Sequence, residues 1–235
     1  MHQFYVTDKL DLNSVVRFDK ETLHQISKVL KLKINESLWL CNTIVMAQAH
    51  LILEGQTLAA FVDVYVPVED VQRKVTLIQA FIRKEKFELI LQKATELGVS
   101  RIVPLILERN VVKWEGEPHK LDRYRAILKE ASEQCHRLSI PKLCEPITLK
   151  NISNYKSDQN FVAYEAQDPN QTLKARLKEV ESVSIVIGPE GGISPKEIAL
   201  LRENGFEIVS LGKRIYRAET AAMVAINTVD CVIGL

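Results

Sequence analysis

The chain has 235 residues, of which 46% are hydrophobic, and a formal net charge of +1. That length allows one large domain or two small ones, and the composition is that of an ordinary globular protein rather than a disordered or fibrous one. A charge so close to zero excludes bulk attraction as the means of holding a polyanion; any such partner must be gripped by a local patch.

The opening stretch, "MHQFYVTDKLDL", has no basic segment followed by an apolar one, and no apolar run approaches the roughly 20 residues that cross a bilayer. The expectation is a cytoplasmic protein with no membrane contact. Cys41, Cys135, Cys144 and Cys231 fit neither a zinc nor a CxxC spacing, so they read as reduced thiols. The histidines are equally scattered, and HExxH, GxSxG and P-loop patterns are absent. Metal hydrolysis and triad chemistry are set aside, and no metal is expected.

Residues 1–70 read as short β segments: "FYV", "SLWLC", "AQAHLIL" and "TLAAFVDVYV". One helix interrupts them, "KETLHQISKVLK", with Leu23, Ile26, Val29 and Leu30 at helical spacing. Short strands with few helices predict a small barrel. "VPVEDVQRK" serves as a join to a second domain over 73–235.

From there strand and helix alternate. "KVTLIQAFI" is a buried-type strand, and "EKFELILQKATELG" is an amphipathic helix with Phe87, Ile90, Leu91, Ala94 and Leu97 on one side and Gly98 placed to end it. "RIVPLIL" is the next strand, and "LDRYRAILKEASEQCHRL" the next helix, with Leu121, Tyr124, Leu128, Ala131 and Cys135 as its stripe. "FVAYE", "SVSIVIG" and "FEIVSLG" complete the strands. The alternation predicts an α/β fold with a mostly parallel sheet and helices on both faces.

Two strand ends carry chemistry. "IVIGPEGGISPKE" runs from a strand through a glycine turn into a helix start, where Ser194, Pro195 and Glu197 make a capping box with proline in the first turn. Glycines at such a place let backbone groups reach a ligand, and ligands of open α/β sheets sit outside the strands' C-terminal ends. The turn alone fits equally a tight connection that binds nothing. "EIVSLGKRIYRAETAAMVAINTVD" repeats the arrangement, with Lys213, Arg214 and Arg217 in a polar loop and a following helix rich in small residues. The glycine spacing is not GxGxxG, which argues against a dinucleotide.

"GPEGGIS" with its following glutamate, and then "LGKRIYRAETAA", resembles the paired signature of the ribosomal RNA small subunit methyltransferase E family. The likeness extends to "KFELILQKATELGV", "IVPLILERNVV", "KEASEQCHRLSIPKL" and "VLKLKINESLWL", which together cover nearly the whole chain. It implies S-adenosylmethionine-dependent methylation of uridine N3 in 16S rRNA of the small subunit. It further implies a SPOUT-type sheet with a C-terminal trefoil knot, a PUA-like RNA-binding barrel over 1–70 and a homodimer. The implied cofactor pocket takes Tyr164 and Glu165 from one strand end and Gly188, Glu190, Gly191 and Gly192 from the glycine turn. From the last loop and its helix it takes Leu211, Gly212, Arg214, Ile215, Tyr216, Thr220 and Ala221. Tyr216 stands where the family usually has leucine.

Removing the imide proton of uridine leaves negative charge, and a fixed guanidinium stabilises it. Arg217 is the candidate for that role; pairing with Glu219 is the plainer one. Glu190 is the nearest carboxylate to act as a base, or it serves the helix start electrostatically. Arg83, Lys84, Lys86 and Arg137 are the candidate RNA contacts, each also readable as a solvated surface charge. A non-catalytic assembly factor and another SPOUT enzyme acting on ribose, tRNA or 23S rRNA are the alternatives.

Overall fold

The structure is a computed structural model and describes residues 1–67 and 73–235. The chain forms two compact units, 1–70 together with 132–140, and 71–131 together with 141–235. The join expected over 66–74 lies largely outside the described residues.

In the first unit, β1 (His2–Tyr5), β2 (Val15–Arg17), β3 (Ser37–Cys41), β4 (Met46–Glu54) and β5 (Thr57–Val66) make one sheet in the order β1-β3-β4-β5-β2. β1 runs parallel to β3 and the other pairs are antiparallel. Alternation puts Leu38, Leu40, Ala47, Ala49, Leu51, Ala60 and Val62 into the core with Phe4, Val16 and Ile26. Gly55, at φ +63°, opens the two-residue turn between the paired Glu54 and Thr57.

Helix α1 (Lys20–His24) starts on Asp19, whose carboxylate accepts the Thr22 N–H, and continues as a π turn over Gln25–Val29. That change of winding rotates the predicted stripe: Ile26 stays buried, but Val29 is 64% exposed. β2 was not anticipated, because three residues are too few to show a period.

Segment 132–140 belongs with this sheet. The Glu133 carboxylate accepts the Tyr5 N–H, and the Arg137 carbonyl accepts Gln3 Nε2 at 2.7 Å and the Tyr5 hydroxyl at 2.5 Å. Cys41 Sγ donates to the Leu138 carbonyl, and His136 meets Trp39 edge-on at 4.6 Å.

In the second unit, β6 (Lys74–Ala80), β7 (Arg101–Ile106), β8 (Lys142–Leu143), β9 (Ile147–Thr148), β10 (Gln159–Ala163), β11 (Ser182–Ile187) and β12 (Glu207–Val209) form a seven-stranded sheet. The order is β12-β10-β11-β6-β7-β8, with β9 also beside β7. Every strand pair in it is parallel. The helices are α2 (Lys84–Glu96), α3 (Pro118–Gln134), α4 (Leu173–Arg176), α5 (Pro195–Glu203) and α6 (Ala218–Ile233).

Ile78, Val103, Leu105, Val162, Val186 and Ile208 pack with Ile198 and Leu201 of α5. The alternate residues Leu77, Ile102, Phe161, Ile185 and Val209 are buried as well, and α6 lies against β6 and β11. Both faces are thus covered, which is why these strands read as continuous apolar runs. Phe87 of α2 and Tyr124 of α3 meet at 5.1 Å, and burial pushes the Tyr124 phenol up to about 12. Gly98, at φ +91°, ends α2 as expected from the sequence.

Candidate functional site

Three connections leave the C-terminal ends of β10, β11 and β12 side by side. After β11 the chain turns through Gly188–Gly192, closed by the Gly192 N–H on the Pro189 carbonyl at 2.9 Å. Ser194 then caps α5: its hydroxyl accepts the Glu197 N–H, and the Glu197 carboxylate accepts the Ser194 N–H at 2.9 Å. After β12, Ser210 binds the Gly212 N–H with its hydroxyl at 3.0 Å. The Ser210 backbone also bridges to the segment before α4, its N–H on the Gln171 carbonyl and its carbonyl on the Leu173 N–H. After β10, Tyr164 and Glu165 follow directly.

Between them lies a crevice of about 720 Å³, part of it open to solvent. Tyr164, Glu165, Gly188, Gly192, Leu211, Gly212, Arg214, Ile215, Tyr216 and Ala221 line it. Glu190, Gly191 and Thr220 do not. Gln167, Pro169 and Ser210 line it without having been expected. Gln167 is held by its side-chain N–H on the Ile208 carbonyl at 2.8 Å; in sequence, "AQDPN" looks like a plain turn, and only its place just past a strand end could have marked it.

The glycines of the turn differ in what they accommodate. Gly192 adopts φ +71°, and a Cβ there would come 2.8 Å from Glu165 Oε1. A Cβ on Gly188 would come 2.7 Å from the Ile193 side chain. A Cβ on Gly191 would come 2.9 Å from the Arg109 carbonyl oxygen, so that position answers to the loop after β7 and not to the crevice. Glu190 Oε1 accepts the Arg83 N–H at 3.4 Å, at the start of α2.

Arg217 is exposed and sits at the N-cap of α6 without a side-chain capping bond. Glu219 pairs instead with Lys86, 3.2 Å apart. Burial pushes the Glu219 carboxyl up, but its own backbone N–H, the Lys86 ammonium and the Arg217 charge outweigh that and hold it below the usual carboxylate value. Its second oxygen is buried without a hydrogen-bond partner.

Of the candidate RNA contacts, Arg83 and Lys84 are exposed, and Lys86 is engaged by Glu219. Arg137 is half-buried and belongs to the other unit; burial lowers its guanidinium from the usual value. Among the described residues no group of three or more His, Cys, Asp or Glu side chains is placed to hold a metal ion, and no helix is long and apolar enough to cross a membrane.

A family model described as an RNA methyltransferase domain matches residues 69–230. Ribosomal RNA small subunit methyltransferase E of Mesomycoplasma hyopneumoniae is 34% identical over 157 residues, covering 65% of this chain and 67% of that protein. The chain belongs to the ribosomal RNA small subunit methyltransferase E family. The Buchnera aphidicola member from Acyrthosiphon pisum is 27% identical over 255 residues, with 99% of this chain and 94% of that protein covered. Among solved structures, the Neisseria gonorrhoeae member bound to S-adenosyl methionine superposes with a TM-score of 0.87 at 27% identity, covering 98% of this chain and 97% of that one. A Legionella pneumophila protein in complex with bound cofactor SAM does so with a TM-score of 0.90 at 29% identity, covering 97% and 96%.

Proposed function

We propose that this protein transfers a methyl group from S-adenosylmethionine to N3 of a uridine in 16S rRNA of the small ribosomal subunit, in the cytoplasm. The observation that carries this reading is the crevice formed where the glycine turn and the 210–216 loop face each other at the strand ends.

The residues present fit the cofactor. Leu211, Tyr164 and Tyr216 offer apolar walls for an adenine ring, and Gly188, Gly192 and Gly212 leave backbone groups uncovered. Gly192 also leaves the place that Glu165 occupies beside the crevice, a carboxylate suited to a cationic ligand. Lys213 and Arg214 suit the ligand's own carboxylate. S-adenosylmethionine, when bound, supplies an electrophilic methyl group carried on a sulfonium.

Arg217 acts on the acceptor. Its guanidinium stabilises the negative charge left on the uridine ring once the N3 proton is gone. Glu219, paired with Lys86, stands two residues from Arg217 in the first turn of α6 and adds negative charge beside it. Arg83, Lys84, Lys86 and Arg137 contact the RNA, and residues 1–70 act as a PUA-like RNA-binding barrel beside a methyltransferase domain over 73–235. The likeness to the family supports a C-terminal trefoil knot in that domain. Half-buried Ala221, Met223 and Val224 on α6 support a homodimer through that helix.

The test is mass spectrometry of nucleosides from unmodified small subunits treated with the protein and S-adenosylmethionine. 3-Methyluridine is expected. Methylation on a ribose oxygen would move the protein to another SPOUT activity, and cofactor binding without methylation would make it an assembly factor. Light scattering should show a dimer; a monomer at working concentration would remove the two-chain arrangement.

A further inference from the structure

The turn after β7 is fastened at several points. Leu107 is buried, and its carbonyl accepts the Asn110 N–H at 3.3 Å. The Asn110 side-chain N–H reaches the Leu105 carbonyl at 3.2 Å. The Glu108 N–H donates to Glu197 Oε1 at 2.7 Å, while the other Glu197 oxygen takes the Ser194 N–H at 2.9 Å. Glu197 is only 7% exposed. A single buried carboxylate therefore joins this turn to the exit of the glycine turn. The two turns also touch directly, since a Cβ on Gly191 would stand 2.9 Å from the Arg109 carbonyl oxygen. Gly191 does not adopt a positive φ, so closeness alone excludes a side chain there.

All of this fixes the backbone of Arg109, whose side chain is exposed. Its guanidinium makes one long contact, 3.4 Å to the Gly191 carbonyl, and has no carboxylate partner among the described residues. Several other basic side chains of this unit are held in ion pairs, Lys86 with Glu219, Lys120 with Glu117 and Arg123 with Glu88, whereas exposed Arg83, Lys84 and Lys113 are as open as Arg109. An immobilised backbone that carries an uncompensated guanidinium, on a turn packed against the glycine turn, is arranged to receive an oxyanion from outside. Arginine suits phosphate oxygens through its planar fork of donors, and phosphate contacts set the register of a nucleic acid strand.

We propose that Arg109 binds a phosphate of the RNA strand that presents the target base, with Glu197 and Gly191 as the residues that position it. This rests on the proposed function and adds a specific grip to it. The experiment measures binding of the protein to small subunits, without methyl donor, by filter retention between ~50 and ~200 mM salt. Arg109→Ala should reduce the slope of log affinity against log salt by about 0.7–0.9, the loss of one phosphate contact. Arg109→Lys should restore most of the slope. Calorimetric titration of both variants with S-adenosylmethionine should match the unmodified protein within about twofold, the precision at which a contact is absent. An unchanged slope in Arg109→Ala overturns the inference and leaves the substrate standing. Loss of S-adenosylmethionine binding in that variant overturns it by moving Arg109 to the cofactor site. An unmodified protein with no salt-dependent affinity for subunits overturns the substrate and this inference together.

Discussion

Gly188, Gly191 and Gly192 lie within one turn and are glycine for three different reasons: an isoleucine side chain, a neighbouring loop's carbonyl, and a left-handed backbone beside a carboxylate. Substitutions should therefore separate. Gly192→Ala places a Cβ at φ +71° and is expected to cost about 1–2 kcal/mol in stability. It should also weaken S-adenosylmethionine binding at least tenfold, roughly 1.4 kcal/mol, in a calorimetric titration. Gly191→Ala should leave that affinity nearly unchanged, because its neighbour is Arg109. Arg217→Ala should keep cofactor affinity within a few-fold and reduce methyl transfer by ~10²-fold or more, as when one charge-stabilising donor is lost; full turnover would end its assigned role. Glu219 adds a pH signature. Its folded-state carboxyl is held below the unfolded value, so its contribution is present above the unfolded pKa and disappears as pH falls through the folded one. Lys86→Met should lower the urea midpoint at neutral pH and converge with the unmodified protein in acid. The glycines and Arg217 were legible as chain signals. Arg109 was not, since its partner Gly191 is 82 positions away and nothing local marks either as a contact.

Among the elements, the parallel strands and their helices were readable because burial on both faces leaves unbroken apolar runs between amphipathic stripes. The α5 start was readable too, since a capping box is local. The π turn after α1 was not: the spacing of Leu23, Ile26, Val29 and Leu30 fits an α-helix, and only the shift to winding by five residues takes Val29 outward. β8 and β9, at two residues each, fall below any periodicity. Within α5 the second duty of Glu197 was also hidden, because its partner Glu108 is 89 residues distant. Glu197→Ala would leave two backbone N–H groups without their acceptor, at roughly 1–3 kcal/mol each if they stay buried. Ser194→Ala removes only the cap, about 1 kcal/mol. Urea unfolding should show the glutamate variant as clearly the weaker protein; equal midpoints would mean that water replaces the carboxylate.

At the scale of the whole molecule, the first unit is not one continuous stretch of chain. Residues 132–140 complete it, through Glu133 on Tyr5, the Arg137 carbonyl under Gln3 and Tyr5, and Leu138 on Cys41. A fragment of residues 1–70 should consequently melt below the same unit in the full chain, and addition of a peptide carrying 132–140 should raise its melting temperature. The arrangement also sets a schedule for synthesis. Domains ordinarily fold in N-to-C order as they emerge, at about 5–20 residues per second. Here the first β-sheet leaves the exit tunnel well before its completing segment, and at those rates the wait is about 4–14 s. During that interval the hydrogen-bonding edge of β1 and the Cys41 thiol have no mate, while the earliest strands of the parallel sheet are already emerging. The nascent chain should therefore generate its first pulling force on an arrest peptide only after residue 140 has cleared the tunnel, and that part of the protein should depend on chaperones for a stretch of translation in which a contiguous domain of the same size would already be closed.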